Sequence, residues 1–373
     1  MYILKDHYLF LFFLLHIALA AIAFFISSKG SKGLDRIGVW LIALSYVLIV
    51  FTRQGLGVDE TTYRAAYIAY LSDPSLVEFE YSFKFLFYCL KELAVSPDNF
   101  NNLICCLYIF LVLVLVQKTV ESPLKTLCIL LFLFSSVSLD FIFNAYRQGF
   151  AFVFVYASLM AYRSGKKKFS LLYMVIAVGF HWSSILIPLL LLSFRLVPKR
   201  AVKIVLMVVI ILTFMGFLFP LGILPTLNKI LSFIPYKNYY LDKISFYLTT
   251  SESSIYGLNF FGRLPLLLNT LVIIFIGRYS YRYVDFIWVK LIAATGLYCV
   301  IFMEMSFSFR NYYWLLPLLP FVICNALTNF RKLDGQRYDL YVQYIGLVVL
   351  SHIAISFLTY YTSPLIPLVF LDS

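Results

Sequence analysis

Long apolar runs separated by short polar turns dominate the chain. Residues 9–26, 37–51 and 202–218 contain almost no charge, and each run has the length that a helix needs to cross the hydrocarbon core of a bilayer. The strict alternation of apolar and polar residues that is typical of membrane β-barrels does not occur. The pattern therefore predicts an all-α, polytopic bundle of about twelve transmembrane helices. The predicted spans centre near Leu15, Ala43, Phe110, Leu131, Val155, Val175, Leu189, Val209, Leu271, Gly296, Leu318 and Leu350.

The basic residues fall in alternate turns of this pattern, which predicts the topology. Short cytoplasmic loops carry an excess of Lys and Arg, so the face that holds these turns is predicted to be cytoplasmic, with both termini outside. Basic residues follow the first apolar run instead of preceding it, which favours a retained span over a signal peptide. The basic turns contain Lys29, Lys32 and Arg36; Lys118 and Lys125; Arg163, Lys166, Lys167 and Lys168; Arg195, Lys199, Arg200 and Lys203; Arg278 and Arg282; and Arg331, Lys332 and Arg337.

Two loops on the predicted outer face, residues 53–101 and 220–262, are longer than simple connections. Residues 81–93 of the first loop carry aromatic and aliphatic residues with Lys84 and Lys91 seven positions apart. This spacing predicts an amphipathic helix lying in the membrane interface. The second loop is rich in tyrosine, which favours a membrane–water boundary. No linker or repeat interrupts the pattern, so residues 1–373 are predicted to form a single transmembrane domain. The tyrosines of the second loop are Tyr236, Tyr239, Tyr240, Tyr247 and Tyr256.

Composition and motifs exclude several functions. The chain is 62% hydrophobic and 13% charged, and its net charge of +12 lies mostly in the basic turns, so nucleic acid is not a predicted partner. The six cysteines lie in apolar segments without metal-ligand spacing. No phosphate-binding loop, dinucleotide fingerprint, zinc-protease motif or nucleophile elbow occurs. We therefore predict neither a metal site nor a cofactor.

Four arginines lie where the topology predicts few basic residues, at the outer ends of the spans. Each one by itself is readily explained as a side chain that reaches the lipid headgroups. Four of them from distant segments at one depth suggest a site for a pyrophosphate or another polyanionic headgroup, because the guanidinium is always charged and offers a planar set of donors. The four are Arg53, Arg147, Arg263 and Arg310, and the same layer holds Asp59, Asp140, Glu80, His181 and Glu304.

His181 and Asp59 each have two interpretations. His181 follows an apolar run, where a histidine usually packs and forms hydrogen bonds, but it is also a candidate general base. Asp59 and Tyr63 are one helical turn apart. Asp59 is therefore either the start of a helix, stabilised by the helix dipole, or a second candidate base. Tyr146, Arg147 and Gln148 are equally typical of interfacial anchoring.

Three segments together resemble the EpsG-type family of Wzy-class polysaccharide polymerases. The first runs from Phe51 to Asp59 and is followed by Tyr63. The second begins at Arg147-Gln148 and ends at Phe180-His181-Trp182-Ser183-Ser184, and the third contains Arg310, Tyr312 and Tyr313 ahead of Pro317. Gly149 departs from the family pattern, which has a bulkier apolar residue after Arg-Gln. The acidic residue before the interfacial helix is either Glu78 or Glu80.

The resemblance implies a GT-C-like, metal-independent and inverting glycosyltransferase in the bacterial inner membrane. It would join repeat units carried on undecaprenyl pyrophosphate at the periplasmic face, for an O-antigen, a capsule or an exopolysaccharide, with a chain-length regulator as a partner. Arg147 and Arg310 would bind the donor pyrophosphate, with Arg53 and Arg263 behind them. His181 or Asp59 would be the base, and Tyr63, Glu80, Gln148 and Tyr313 would contact substrate.

Other functions remain open at this point. A flippase or transporter of the same lipid-linked sugars would also need a basic lining, although transporters usually carry internal repeats and charges deep in a cavity. A membrane O-acyltransferase would use an outward histidine, but His7 and His16 lack the short motif that this class normally has. A ligase that moves finished polymer shares the chemistry of a polymerase.

Overall fold

The computed structural model describes residues 7–53, 55–224, 226, 229, 254–334, 337–363 and 369–370. Fifteen α-helices and no strand lie within these residues, which confirms the all-α prediction for this part of the chain. The helices are α1 (His7–Lys29), α2 (Lys32–Thr52), α3 (Val58–Ser72), α4 (Tyr81–Glu92), α5 (Pro97–Thr119), α6 (Lys125–Leu133), α7 (Ser136–Phe143), α8 (Tyr146–Arg163), α9 (Lys167–Phe180), α10 (Leu186–Ser193), α11 (Lys199–Leu218), α12 (Phe260–Tyr279), α13 (Phe286–Ile301), α14 (Leu319–Leu333) and α15 (Tyr338–Thr362).

Seven helical segments in the described residues are long and apolar enough to cross a membrane, and the chain is a multi-pass membrane protein. They comprise α1, α2, α5, α11, α12, α15 and the segment Ser308–Leu333, which begins as a 3-10 helix and continues into α14. An eighth span is formed if α6 and α7, which meet at a 67° bend, are taken together. All twelve predicted centres lie in helical segments. Those near Val155, Val175, Leu189 and Gly296 lie on helices that are shorter or less apolar, so the number twelve stays a prediction, as does the GT-C-like arrangement.

The first long loop is largely helical. The amphipathic helix predicted for residues 81–93 is confirmed as α4, which buries Phe83 and Phe87 while Tyr81 and Phe85 are exposed. Most of the second long loop, including Tyr236, Tyr239, Tyr240 and Tyr247, lies outside the described residues. The interfacial placement of α4 stays a prediction.

The chain packs into two compact units: residues 1–186 together with 330–373, and residues 187–329. The prediction of a single domain stays a prediction. In the first unit, the first helix packs against the last one. The Nδ1 atom of His16 in α1 lies 3.2 Å from the hydroxyl of Tyr360 in α15, and the hydroxyl of Tyr338 donates to the Ser28 carbonyl at 2.7 Å.

Three basic turns meet at one end of the first unit. Lys332 forms an ion pair with Glu121 at 2.7 Å, so the α14–α15 turn lies beside the α5–α6 turn. Asp35 in the first turn of α2 accepts hydrogen bonds from the Thr126 backbone at 2.8 Å and the Ser122 hydroxyl at 2.7 Å. The opposite end of this unit holds the end of α2 and the starts of α5 and α8.

The second unit is built on α11, α12 and α13, which pack against one another. Lys203, near the start of α11, lies 3.4 Å from the centroid of the Tyr281 ring in the α12–α13 turn. At the other end of α11, the Tyr256 hydroxyl donates to the Gly216 carbonyl at 2.5 Å. The basic turns of this unit therefore also share one end.

Candidate functional site

The candidate site of the first unit surrounds the start of α8, at the end opposite the basic turns. Arg53 ends α2, where its backbone N–H bonds to the Ile49 carbonyl at 3.1 Å. Arg147 lies in the first turn of α8. Each arginine is paired with a different carboxylate, and the two pairs differ in burial.

Arg53 forms a buried ion pair with Glu60. Its Nη2 atom lies 2.9 Å from Oε1 of Glu60, and the two side chains are 4% and 0% exposed. Glu60 also accepts a hydrogen bond from the Gly57 backbone at 2.8 Å and another from the hydroxyl of Tyr146. Arg53 donates further to Asn102 at 3.2 Å. Burial raises the pKa of the Glu60 carboxyl, and the contacts with Arg53, Tyr146 and Gly57 act in the opposite sense.

Arg147 forms a second ion pair that solvent can reach. Its Nη1 atom lies 2.6 Å from Oε2 of Glu80, and the two side chains are 27% and 19% exposed. Nε donates to the Tyr63 hydroxyl at 3.5 Å, and the guanidinium lies 4.7 Å from the centroid of the Phe79 ring. Among the described residues, the Nη2 atom of Arg147 has no hydrogen-bond partner. One edge of the guanidinium is thus available to an anionic ligand.

Two tyrosines connect the pairs. The rings of Tyr63 and Tyr146 stack with centroids 5.1 Å apart. Tyr146 bonds to Glu60 of the buried pair, and Tyr63 accepts a hydrogen bond from Arg147 of the accessible pair. Because Tyr146 directly precedes Arg147 in α8, the buried pair helps to fix the backbone from which Arg147 extends.

Helix α4 brings Glu80 to the site. Glu80 occupies the N-cap position of α4, and the Ser82 hydroxyl in the next turn donates to the Ile176 carbonyl of α9 at 3.0 Å. A Cβ atom at Gly179 would overlap the side chain of Ser82. The absence of a side chain at Gly179 therefore lets α4 lie this close to α9. The structure selects Glu80 over the exposed Glu78 as the partner of Arg147.

Asp59 and His181 lie at the same end of the unit. Asp59 is in the first turn of α3. Its backbone N–H donates at 2.9 Å to Oδ1 of Asn144, a residue that lies two positions before the start of α8. His181 follows α9, whose Phe180 stacks on Phe150 of α8 at 5.1 Å. The His181 Nδ1 atom accepts from the Ser183 backbone at 3.3 Å and lies 2.7 Å from the Ser183 hydroxyl. His181 thus caps the following turn, and its role as a base stays a prediction.

The neighbours of Arg147 in α8 are buried. Gln148 is 5% exposed. A Cβ atom at Gly149 would lie 2.8 Å from Phe141 Cβ and 3.1 Å from the ring of Tyr108. Phe141 and Tyr108 therefore fill the space that a larger residue would take, which explains why glycine departs from the family pattern here.

The remaining predicted site residues belong to the second unit. Arg263 donates to the Leu258 carbonyl at 2.8 Å and lies 5.2 Å from the Tyr256 ring. Arg310 belongs to the 3-10 helix Ser308–Trp314, and its guanidinium lies 5.3 Å from the centroid of the Phe307 ring. Tyr313 in the same segment is 3% exposed. Their predicted contact with substrate stays a prediction.

Sequence reasoning singled out Asp59 and missed Glu60, which pairs with Arg53, and Tyr146, which donates to Glu60. The helical period contained the missing signal. Glu60, Tyr63, Tyr67 and Tyr70 are three, four and three residues apart and form the buried face of α3, whereas Asp59 lies off that face. A carboxylate on the buried face requires a cation. Arg64 is nearer along the chain, but it is exposed and pairs with Asp98, which leaves Arg53 as the partner of Glu60.

A family model described as the EpsG family matches residues 36–369. No curated protein and no solved structure matches the chain.

Proposed function

The chain belongs to the EpsG family of Wzy-like, polysaccharide polymerase-related proteins, and we propose that it is a membrane glycosyltransferase that polymerises lipid-linked oligosaccharide repeat units. The donor would be an oligosaccharide on undecaprenyl pyrophosphate, and the acceptor would be a second repeat unit on the same carrier. The proposal rests on family membership and on the arginine that the first unit holds at an accessible position.

The accessible Arg147–Glu80 pair is the observation that carries this proposal. In the transfer, an acceptor hydroxyl attacks the anomeric carbon of the donor, and the bond from that carbon to the pyrophosphate oxygen breaks. Negative charge develops on the leaving pyrophosphate, where a guanidinium with a free donor edge stabilises it. Glu80 and Phe79 hold the guanidinium in one orientation, so little reorganisation is needed. We propose an inverting reaction in which the arginine takes the role that a metal ion has elsewhere.

The acceptor hydroxyl must lose a proton, and two candidate bases lie at the correct end of the unit. His181 has an imidazole ring, and histidine is the side chain that most often acts as a general base. Asp59 directly precedes Glu60 in the first turn of α3 and is half-buried. The substrate contacts that the family resemblance implies for Gln148, Arg263, Arg310 and Tyr313 remain expectations.

The positions of the basic turns support an outward orientation of the site. In the first unit these turns lie at the end opposite Arg147, and the positive-inside rule assigns such turns to the cytoplasm. We therefore propose that the site faces the periplasm of a bacterial inner membrane. ATP is not present there, so the donor has to arrive already activated. A chain-length regulator is the expected protein partner.

The test uses the purified full-length protein in liposomes with lipid-linked repeat units. Glycans of increasing length are the expected product. Arg147→Ala should slow the elongation about a hundredfold, whereas the matched control Arg64→Ala, which breaks an exposed ion pair with Asp98, should preserve it.

Two outcomes contradict the proposal. Movement of lipid-linked sugar across the bilayer without longer glycans would identify a flippase. Transfer of an acyl group from an added acyl donor would identify an O-acyltransferase. In cells, a deletion strain should carry single repeats, and wild-type ladders in the Arg147→Ala strain would refute the role of this arginine.

A further inference from the structure

A second cluster of cations lies at the basic end of the second unit. We call it the basic surface. Among the described residues of this unit, the carboxylates are Asp285 and Glu304, and Glu304 bonds to Gly222 at the opposite end, beyond the end of α11. The basic surface consists of Arg195, Lys199, Arg200, Lys203, Arg278, Arg282 and Lys290.

Within the described residues, no member of the basic surface forms an ion pair with a carboxylate. Asp285 instead accepts a hydrogen bond from the Asn325 amide at 2.9 Å. The basic end of the first unit differs, because Lys332 is paired there with Glu121. Within the described residues, the positive charge of the basic surface is therefore not offset by carboxylates, and the surface attracts anions.

Aromatic rings and carbonyls hold these cations in place. Lys203 lies 3.4 Å from the centroid of the Tyr281 ring. The ring of Phe286 lies 5.4 Å from Lys199 and 5.2 Å from Lys290. Lys290 also donates to the Arg195 carbonyl at 2.7 Å. Several of these side chains are thus ordered before any ligand arrives, which lowers the entropic cost of binding.

Hydrogen bonds from α14 also fix the α12–α13 turn, which carries Tyr281 and Arg282. The side chain of Asn329 in α14 donates to the Tyr283 carbonyl at 2.8 Å, and Asn325 bonds to the backbone of Asp285 at 3.0 Å. Lys203, Arg278 and Arg282 all act on Tyr281 and lower the pKa of its hydroxyl, with Lys203 contributing most. The positive potential is therefore concentrated around this ring.

Exposed apolar side chains adjoin the same cations. Helices α11 and α12 are both long and apolar enough to cross the membrane. Ile204 is 64% exposed next to Lys203, and Leu196 is 91% exposed next to Arg195. The rings of Phe275 and Tyr279 stack at 5.3 Å on the outside of α12. An unpaired cationic cluster beside exposed apolar surface complements an anionic headgroup with acyl chains.

We propose that the basic surface binds the phosphate headgroup of an anionic phospholipid, with its centre at Lys203, Tyr281, Arg278 and Arg282. The acyl chains lie along the exposed side chains of α11 and α12. Zwitterionic lipids also carry a phosphate, but their ammonium group opposes the same cations, so the surface selects lipids with net negative charge. This site shares no residue with the Arg147 site and does not depend on the proposed reaction.

The experiment measures lipid retention by the purified full-length protein with native mass spectrometry. The added lipids are phosphatidylglycerol and phosphatidylcholine, tested separately, with inorganic phosphate as a third probe. The test variant is Lys203→Gln combined with Arg278→Gln. The matched control is Lys167→Gln combined with Lys168→Gln, which removes the same charge from an exposed turn of the first unit.

Phosphatidylglycerol should be retained by the wild type in preference to phosphatidylcholine. The test variant should lose about fivefold in affinity per removed charge, or about 25-fold for the pair, while the control variant keeps wild-type affinity. Equal losses in both variants would mean that the charges attract lipid without a site, and would overturn the proposal. Displacement of the lipid by inorganic phosphate at a similar concentration would also overturn it, because the ligand would then be free phosphate.

Discussion

The Arg53–Glu60 and Arg147–Glu80 pairs each join a guanidinium to a carboxylate, at similar N–O distances of 2.9 and 2.6 Å. They differ in what surrounds them. The side chains of the first pair are at most 4% exposed and every Glu60 oxygen is satisfied by the protein, whereas the side chains of the second are about one fifth to one quarter exposed. A buried pair tolerates no loss of one partner, because a lone charge then remains in a medium of low polarity. An accessible pair can exchange a partner for a ligand. We therefore propose a structural role for the Arg53–Glu60 pair and a catalytic role for the Arg147–Glu80 pair.

The largest expected effect is on the buried pair. Arg53→Met leaves Glu60 as an unpaired buried carboxylate and should lower the free energy of unfolding by about 3–5 kcal/mol. Thermal unfolding of the purified protein in detergent measures this loss. Arg64→Ala, at an exposed pair, should cost at most about 1 kcal/mol.

The double variant Arg53→Met, Glu60→Leu separates burial from function. Removing both charges should restore most of the lost stability. If the double variant is stable but inactive, Arg53 contributes to catalysis as well as to packing, and the division between the two pairs is wrong.

The accessible pair should show the opposite behaviour. Arg147→Ala should slow glycan elongation roughly a hundredfold, equivalent to about 3 kcal/mol of transition-state stabilisation, with nearly unchanged unfolding. Arg147→Lys keeps the charge but loses the planar donor set, so it should recover only part of the rate. A large fall in stability without a specific fall in rate would place Arg147 in the same class as Arg53.

A variant that shifts α4 but keeps Glu80 itself tests whether α4 positions the Arg147–Glu80 pair. Gly179→Ala adds a methyl group that overlaps Ser82, and such overpacking typically costs about 1–3 kcal/mol. Elongation should decrease because Glu80 shifts relative to Arg147. Adding Ser82→Ala relieves part of the overlap and should restore part of the activity. An unchanged rate in Gly179→Ala would show that the position of α4 does not matter.

The smallest expected effect concerns the connection between the pairs. Tyr146→Phe keeps the stacking with Tyr63 but removes one hydrogen bond to Glu60. Arg53 and Gly57 still satisfy this carboxylate, so stability should fall by about 1–2 kcal/mol. The rate should fall less than in Arg147→Ala. A rate as low as that of Arg147→Ala would mean that Tyr146 acts directly on substrate.

Hydrophobic periodicity predicted the helices well, since each predicted span centre falls in a helical segment. The amphipathic spacing also predicted α4 to within one residue. Bilayer length did not predict the short helices, because α9 and α10 have 14 and 8 residues, fewer than the roughly 20 that a single span needs. The 67° bend between α6 and α7 has no proline or glycine to reveal it.

For the candidate site, the sequence predicted residue types better than pairings. Arg53, Glu80 and Arg147 were all predicted as site residues, but their partners were not. Arg147 and Glu80 are 67 positions apart in the chain, so only the fold brings them together. The pairing of Arg53 depends on which face of α3 is buried. Glu60 was overlooked because its neighbour Asp59 matched a family motif. A charged residue on an apolar helical face is a stronger signal than a charged residue in a motif.

The packing of α1 against α15 has a consequence for biosynthesis. His16 and Tyr360 are 344 residues apart in the chain, and translation at ~5–20 residues per second separates their appearance by tens of seconds. During this interval the first helix lies in the membrane without its final neighbour. The first unit is therefore completed only when synthesis reaches its last helix, and α1 depends on lipid or on an insertion factor to cover its polar histidine until then.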